Sequence, residues 1–388
     1  MKKIISILVA LCMFFSGFCA FADSGDDVIK NDTQASIDLS VNAQSAVLME
    51  ASTGKILFSQ NEEYFNSPAS VTKIMTLLLV CEALEEGRFK LDDKVSISEY
   101  ASSMGGSQVF LKEGERMTVE ELLKCTIIAS ANDAAVALAE LTEGSEDAFV
   151  AKMNEKAKKL CLQKTSFENT TGLDDTTVNH YTCAKDIAVM SRELLKYDII
   201  TKYSSLWQDS IRNGEFVLTN TNRLVRFYDG CNGLKTGSTD KAGYCVSVSA
   251  KRGNMQLIAV IMNADSITER NNAARTLLDY GFSNYSLFTY PQKALESVPV
   301  RSGTQDSTDV VSCEFSAVVK KGDLAKIEAF YEIPERIDAP FNKGDKIGRI
   351  VFKNAGEVIG ECDIVTADAV EKISFWGVFS RIIKNIFS

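Results

Sequence analysis

Between Ser67 and Gly87 the chain spells a helix with almost no polar face: Ile74, Met75, Leu77, Leu78, Leu79, Val80, Cys81 and Leu84 cover nearly its whole circumference. A helix apolar all round must be covered on most sides, so it belongs at the centre of a domain with other layers packed around it. Ser67-Pro68 marks its start, with Ser67 as N-cap and Pro68 at the first helical position, where the missing N–H costs nothing. The chain has 388 residues, 45% of them hydrophobic and 24% charged. That is material for two or three globular domains, unlike a disordered or polytopic membrane chain.

The flanking patterns predict the layers. Ala46–Met49 and Ile56–Phe58 read as strands around a turn at Ser52–Lys55, and helical periodicity recurs at Val119–Ser130, Asn132–Leu141, Glu146–Leu160 and Ala184–Leu195. Tyr244–Ser249 and Gln256–Met262, joined by Lys251–Asn254, read as an antiparallel hairpin, and Ile267–Tyr280 as a closing helix. Strands at both ends of a helical middle predict an α+β domain over residues 44–285. Short β-rich runs follow over 291–367, a small β-domain acting as spacer or docking surface. In the last segment, 368–388, Trp376, Phe379, Ile383, Ile386 and Phe387 recur at helical spacing, with Arg381 and Lys384 the only charges after Lys372. It is too short and too polar to span a bilayer, and reads as an amphipathic helix lying in the interface of an anionic membrane through residues 375–388.

At the other end, Lys2 and Lys3, an apolar run from Ile4 through Phe15 and a small-residue site at Ala20-Phe21-Ala22 predict an export signal over residues 1–22, cleaved after Ala22. Residues 23–43 read as a flexible polar leader. The formal charge is −10 with no dense basic stretch, which argues against a nucleic-acid partner. His180 is the only histidine, which excludes a multi-imidazole zinc hydrolase, and no Gly-x-Ser-x-Gly elbow occurs. No metal site is expected. Eight of the ten cysteines follow the signal, at irregular spacing and without Cys-x-x-Cys, and read as buried thiols rather than a disulfide framework.

Three short motifs carry chemistry. Ser70-Val71-Thr72-Lys73 places a hydroxyl and an amine three residues apart at the start of the buried helix, a nucleophile beside a base. Burial and the positive end of the helix dipole both disfavour the ammonium form, so Lys73 can take the Ser70 proton. Ser52-x-x-Lys55 and Ser238-x-x-Lys241 fit the same pattern but fall in a turn and a loop. Ser130-Ala131-Asn132 sits between two apolar helical stretches, where a break exposes both polar side chains to a cleft; Ser130 as a plain helix cap is the simpler alternative. Lys235-Thr236-Gly237 precedes the hairpin, and a sheet edge ending in a cation, a hydroxyl and an unobstructed backbone suits an extended peptide with a terminal carboxylate. A solvated turn is the alternative there.

In that order, the three motifs resemble those of the penicillin-recognising serine enzymes, a group that includes penicillin-binding proteins and serine β-lactamases. Asn66–Ser70, Gly105–Gln108, Ser130–Ala135 and Asn169–Leu173 look like the low-molecular-mass D-alanyl-D-alanine carboxypeptidases, and the likeness extends over Ser45–Tyr285. It implies a β-lactamase/transpeptidase-like domain, an antiparallel sheet with a helical cluster, followed by a small β-domain and an amphipathic tail. It also implies removal of the terminal D-alanine from peptidoglycan stem pentapeptides without a cofactor, binding of β-lactams, and a location outside the cytoplasmic membrane. Ser70 would be the acyl-ester nucleophile, Lys73 the general base and Ser130 the proton relay to the departing amine. Asn132 would bind the substrate amide, and Lys235 and Thr236, followed by Gly237, the terminal carboxylate. The N–H groups of Ser70 and Ser238 would form the oxyanion hole. Ser238 stands where many relatives carry histidine or a bulky residue, and His180 sits where relatives often have a loop histidine, here read as structural. The rival readings are a β-lactamase, a DD-endopeptidase or transpeptidase, and a non-catalytic peptidoglycan-binding scaffold. Ser166–Thr170 lacks the Glu-x-x-Leu-Asn stretch of the first.

Overall fold

The computed structural model describes residues 39–387 apart from Thr176; the expected export signal and most of the polar leader lie outside the described residues. The main sheet has five antiparallel strands in the order Ile56–Gln60, Ser45–Glu50, Met255–Ala264, Gly243–Arg252, Cys231–Thr239. The two ends of the domain therefore meet in mid-sheet, where Val47 pairs with Val260 and Met49 with Ile258. Every residue of Ser45–Glu50 is buried, because helices cover this sheet: Ile267–Asn284 and Ala184–Leu194 both pack on Met255–Ala264.

The apolar helix runs over Lys73–Glu85 and packs against Asn132–Glu143, Glu146–Lys159 and Ala184–Leu194, as its all-round apolar surface requires. Its start differs from the expectation. Ala69 takes φ +45°, which breaks helical geometry directly after Pro68, so Ser67 does not cap the helix; a 3-10 turn over Ala69–Thr72 leads into it instead. The helix Val119–Ile128 opens with a reciprocal Thr118–Glu121 capping box. It is separated from Asn132–Glu143 by a break at which Ser130 has φ +62°.

The strand Tyr285–Tyr290 pairs with Phe315–Lys320 at the start of the smaller unit, whose six-stranded sheet encloses Val298, Val310, Ile350, Phe352, Cys362 and Ile364. Phe315 stacks on Phe352 at 4.7 Å. The last helix, Phe375–Phe387, exposes its large side chains, with Phe375 at 77%, Trp376 at 72% and Ile386 at 70%. Arg381 pairs with Asp306 at 2.7 Å and donates to the Thr304 carbonyl. Among the described residues no helix is long and apolar enough to cross a membrane.

Candidate active site

The 3-10 turn makes the first pair. Residues i and i+3 eclipse in this geometry, and Lys73 Nζ lies 3.0 Å from Ser70 Oγ. Lys73 is completely buried, and its amine donates to Asn132 Oδ1 at 2.5 Å and to the Thr171 carbonyl at 2.9 Å. The Asn132 amide is oriented unambiguously, because its Nδ2 donates to the Gly105 carbonyl at 2.7 Å. A neutral amine has two N–H groups and one lone pair. In that neutral form the two carbonyl oxygens would take both N–H groups, leaving the lone pair for the Ser70 hydroxyl proton. Burial pushes the Lys73 ammonium well below its ordinary range, the nearby Lys235 cation pushes it further, and Asp133 opposes them only in part.

Two glycines allow these pieces to touch. A Cβ on Gly237 would lie 2.8 Å from Ser70 N and 2.9 Å from Val71 N, so only glycine lets the edge strand Cys231–Thr239 approach the turn this closely. Gly172, at φ +82°, would drive a Cβ to 1.8 Å from the Ala69 carbonyl oxygen. Its loop is folded by Asn169, which accepts from Gly172 N and donates to the Leu173 carbonyl, and it delivers the Thr170 carbonyl to Thr76 and that of Thr171 to Lys73.

Ser70, Ser130, Thr236, Gly237 and Ser238 line one cleft of about 610 Å³. The Ser130 hydroxyl makes no hydrogen bond among the described residues, and the helix after it has no side-chain cap, so the break does not serve as a capping turn. Lys235 is 1% exposed and donates to the Thr236 carbonyl at 2.9 Å; burial, with Arg270 adding like-charge repulsion, lowers its pKa to about 7. The Thr236 hydroxyl donates to Thr221 Oγ1 at 2.8 Å, within the cleft wall.

Sequence reasoning missed Arg270, which lines the cleft, is only 4% exposed, and donates to the side chain of neighbouring Asn271 rather than to a carboxylate. Burial lowers its pKa to about 10, which leaves it charged at neutral pH. A signal existed: Arg270 precedes Ala273, Ala274, Leu277 and Leu278 on the buried stripe of its helix, where an arginine is out of place unless it serves something. Asp133 directly follows Asn132 in the second motif. It is wholly buried and accepts from Val109, Leu111 and Ala134 N–H, which ties the loop holding Gly105 and Ser107 to the Asn132 helix. Asn132 N in turn donates to the Ser107 carbonyl at 2.7 Å.

His180 stands outside the cleft lining. Its Nδ1 accepts from Glu168 N–H at 3.0 Å, so the neutral ring carries its proton on Nε2, which donates to Thr72 Oγ1 at 2.8 Å. Burial lowers its pKa to about 4, against the pull of Glu168 and Asp174. Glu168, the one acid within Ser166–Thr170, accepts from Val178 and Asn179 N–H.

Comparison with known proteins gives this arrangement a family. Residues 30–266 match the model for D-alanyl-D-alanine carboxypeptidase, and residues 282–372 the model for the C-terminal domain of penicillin-binding protein 5. D-alanyl-D-alanine carboxypeptidase DacF of Bacillus subtilis is 43% identical over 385 residues, covering 97% of this chain and 96% of its own. DacC of Escherichia coli is 33% identical over 87% of this chain and 86% of its own. Among solved structures, penicillin-binding protein 5 of Haemophilus influenzae superposes with a TM-score of 0.75 at 30% identity, over 86% of this chain and 99% of that one. Penicillin-binding protein 6B of Escherichia coli gives 0.69 at 32% identity, over 84% and 96%.

Proposed function

The chain belongs to the D-alanyl-D-alanine carboxypeptidase family and is a penicillin-binding serine peptidase of peptidoglycan stem peptides; from that premise we propose how its residues divide the reaction. The observation that carries the assignment is the Lys73 amine held by two carbonyl oxygens, with Ser70 at its third side. Lys73 takes the Ser70 proton as Oγ bonds to the carbonyl carbon of the penultimate D-alanine. The C–N bond then breaks, and the departing D-alanine amine receives a proton through Ser130, whose hydroxyl is open to the cleft. Water cleaves the ester and restores Ser70.

Asn132 holds the substrate amide, and Lys235, Thr236 and Arg270 receive the terminal carboxylate. Gly237 lets the edge strand lie against the turn, so that the N–H groups of Ser70 and Ser238 meet the developing oxyanion, worth about 3 kcal/mol per donor. Glu168 is spent on backbone N–H groups, which favours slow deacylation over β-lactamase action. In the full chain, residues 44–285 do the chemistry, 291–367 act as a spacer, and 368–388 bind an anionic membrane surface through residues 375–388. The enzyme then works on the outer face of the cytoplasmic membrane, where its substrate lies.

The test is release of free D-alanine from a synthetic N-acylated peptide ending in D-Ala-D-Ala. Stoichiometric release by the wild-type protein and none by Ser70→Ala is expected; release that survives Ser70→Ala overturns the assignment.

A further inference from the structure

A carboxypeptidase that releases D-alanine needs no room past the terminal carboxylate, yet the cleft that holds Arg270 is also lined by Trp207, Arg223, Phe227 and Ile267, and beyond the effect of burial Arg223 is near enough to Arg270 to lower its pKa by like-charge repulsion. The Trp207 and Phe227 rings lie 6.3 Å apart, and the Arg226 guanidinium sits over both, 5.4 Å from one centroid and 5.6 Å from the other. Phe227 is 58% exposed, and Arg275 donates to its carbonyl. Among the described residues neither Arg223 nor Arg226 lies within ion-pair distance of a carboxylate; Asp229 and Asp279 pair with Arg252 instead. On a chain of net charge −10, Arg223 in the cleft lining and Arg226 on its aromatic pair create a local field that favours an anion. Two aromatic faces beside them suit a flat or aliphatic group carrying that anion.

We propose that the part of the cleft beside Arg270 lined by Trp207, Arg223 and Phe227, with Arg226 stacked on both rings, is a leaving-group subsite for a D-residue whose side chain carries a second carboxylate. The reaction is unchanged: the same D-alanyl amide bond breaks, Ser70 is acylated, and the departing amine takes the proton. Only the departing residue grows, from D-alanine to an acidic D-amino acid or to the carboxylate-bearing amine half of a cross-linked peptide. This inference rests on the carboxylate placement proposed above.

The experiment compares kcat/KM of the full protein on N-acylated D-Ala-D-Xaa peptides with D-Ala, D-Glu, D-Gln or D-Lys at the last position, and on a purified cross-linked muropeptide dimer. D-Glu is expected to exceed its neutral isostere D-Gln by about three- to fivefold at low salt, the scale of an exposed ion pair. D-Lys is expected below both, and the D-Glu advantage should shrink as salt rises. The double variant Arg223→Gln, Arg226→Gln should bring the D-Glu to D-Gln ratio to about one. Cleavage of the dimer would identify cross-links as the source of the acidic group; resistance of the dimer with D-Glu still preferred would identify a single acidic residue. A D-Glu to D-Gln ratio of one in the wild type, or a preference that survives the double variant, overturns the subsite. Failure of the wild type on D-Ala-D-Ala itself would instead overturn the underlying assignment.

Discussion

Lys73 and Lys235 are both buried lysines whose ammonium forms are disfavoured, but the proposed mechanism gives them opposite tasks. Lys73 is useful neutral, so acylation rises as pH climbs through its lowered pKa. Lys235 is useful charged, so recognition of a carboxylate fades as pH rises through about 7. A bell-shaped kcat/KM profile for a D-Ala-D-Ala peptide follows, with its alkaline limb owed to Lys235. Lys235→Arg, which keeps its charge at all accessible pH, should move that limb upward; an unmoved limb would remove Lys235 from carboxylate binding. His180 belongs to stability instead. Its folded pKa of about 4 lies below its ordinary value of 6.5, so the stability it contributes is full above pH ~6.5 and is lost as pH falls toward 4. The loss is about 3 kcal/mol. Urea denaturation from pH 7 to pH 4 should show this slope in the wild type and a shallower one in His180→Gln, while the position of the kcat/KM profile stays put.

The turn Ala69–Thr72, the break at Ser130 and the edge strand Cys231–Thr239 come from distant parts of the chain. Much of this was legible, because the all-apolar helix, the hairpin and the helical repeats are period signals that packing then obeyed. The motif residues were legible from the order of the three motifs and the resemblance that order carries, since the Ser-x-x-Lys spacing also occurs at Ser52 and Ser238. What stayed hidden was the support supplied by backbone groups: the Thr171 and Gly105 carbonyls have no side-chain signature, and Ala69 gives no warning of its positive φ. Arg212 is another hidden support. Its guanidinium grips Glu115 with two hydrogen bonds and donates to the Val109 and Phe110 carbonyls, on the loop whose amides Asp133 holds. That loop orients Asn132, and Asn132 orients Lys73. Arg212→Ala should therefore slow acylation by benzylpenicillin by about 10- to 100-fold, as small misplacements of reacting groups do. Arg212→Lys should restore only part of it, since an amine lacks the planar fork; acylation at the wild-type rate in Arg212→Ala would contradict this chain of contacts.

At the scale of the molecule, the sheet joins the two ends of the catalytic unit, and the smaller β-unit docks beside it through contacts such as Asn254 Nδ2 to the Leu287 carbonyl at 3.2 Å. Among the described residues the last helix leaves Phe375, Trp376, Phe379, Ile382, Ile383 and Ile386 exposed. Removal of residues 375–388 should abolish co-sedimentation with anionic vesicles and leave D-alanine release within about twofold, since no residue lining the cleft belongs to the tail; unchanged co-sedimentation would refute the interfacial anchor. The proposed chemistry rests on one serine made nucleophilic by a buried neutral amine. Mass spectrometry of the intact protein and then of its peptides, after brief exposure to benzylpenicillin, reads this directly. One covalent penicilloyl group on Ser70, absent when Lys73 is replaced by methionine, is the predicted result; an unmodified protein, or an adduct on another residue, would contradict it.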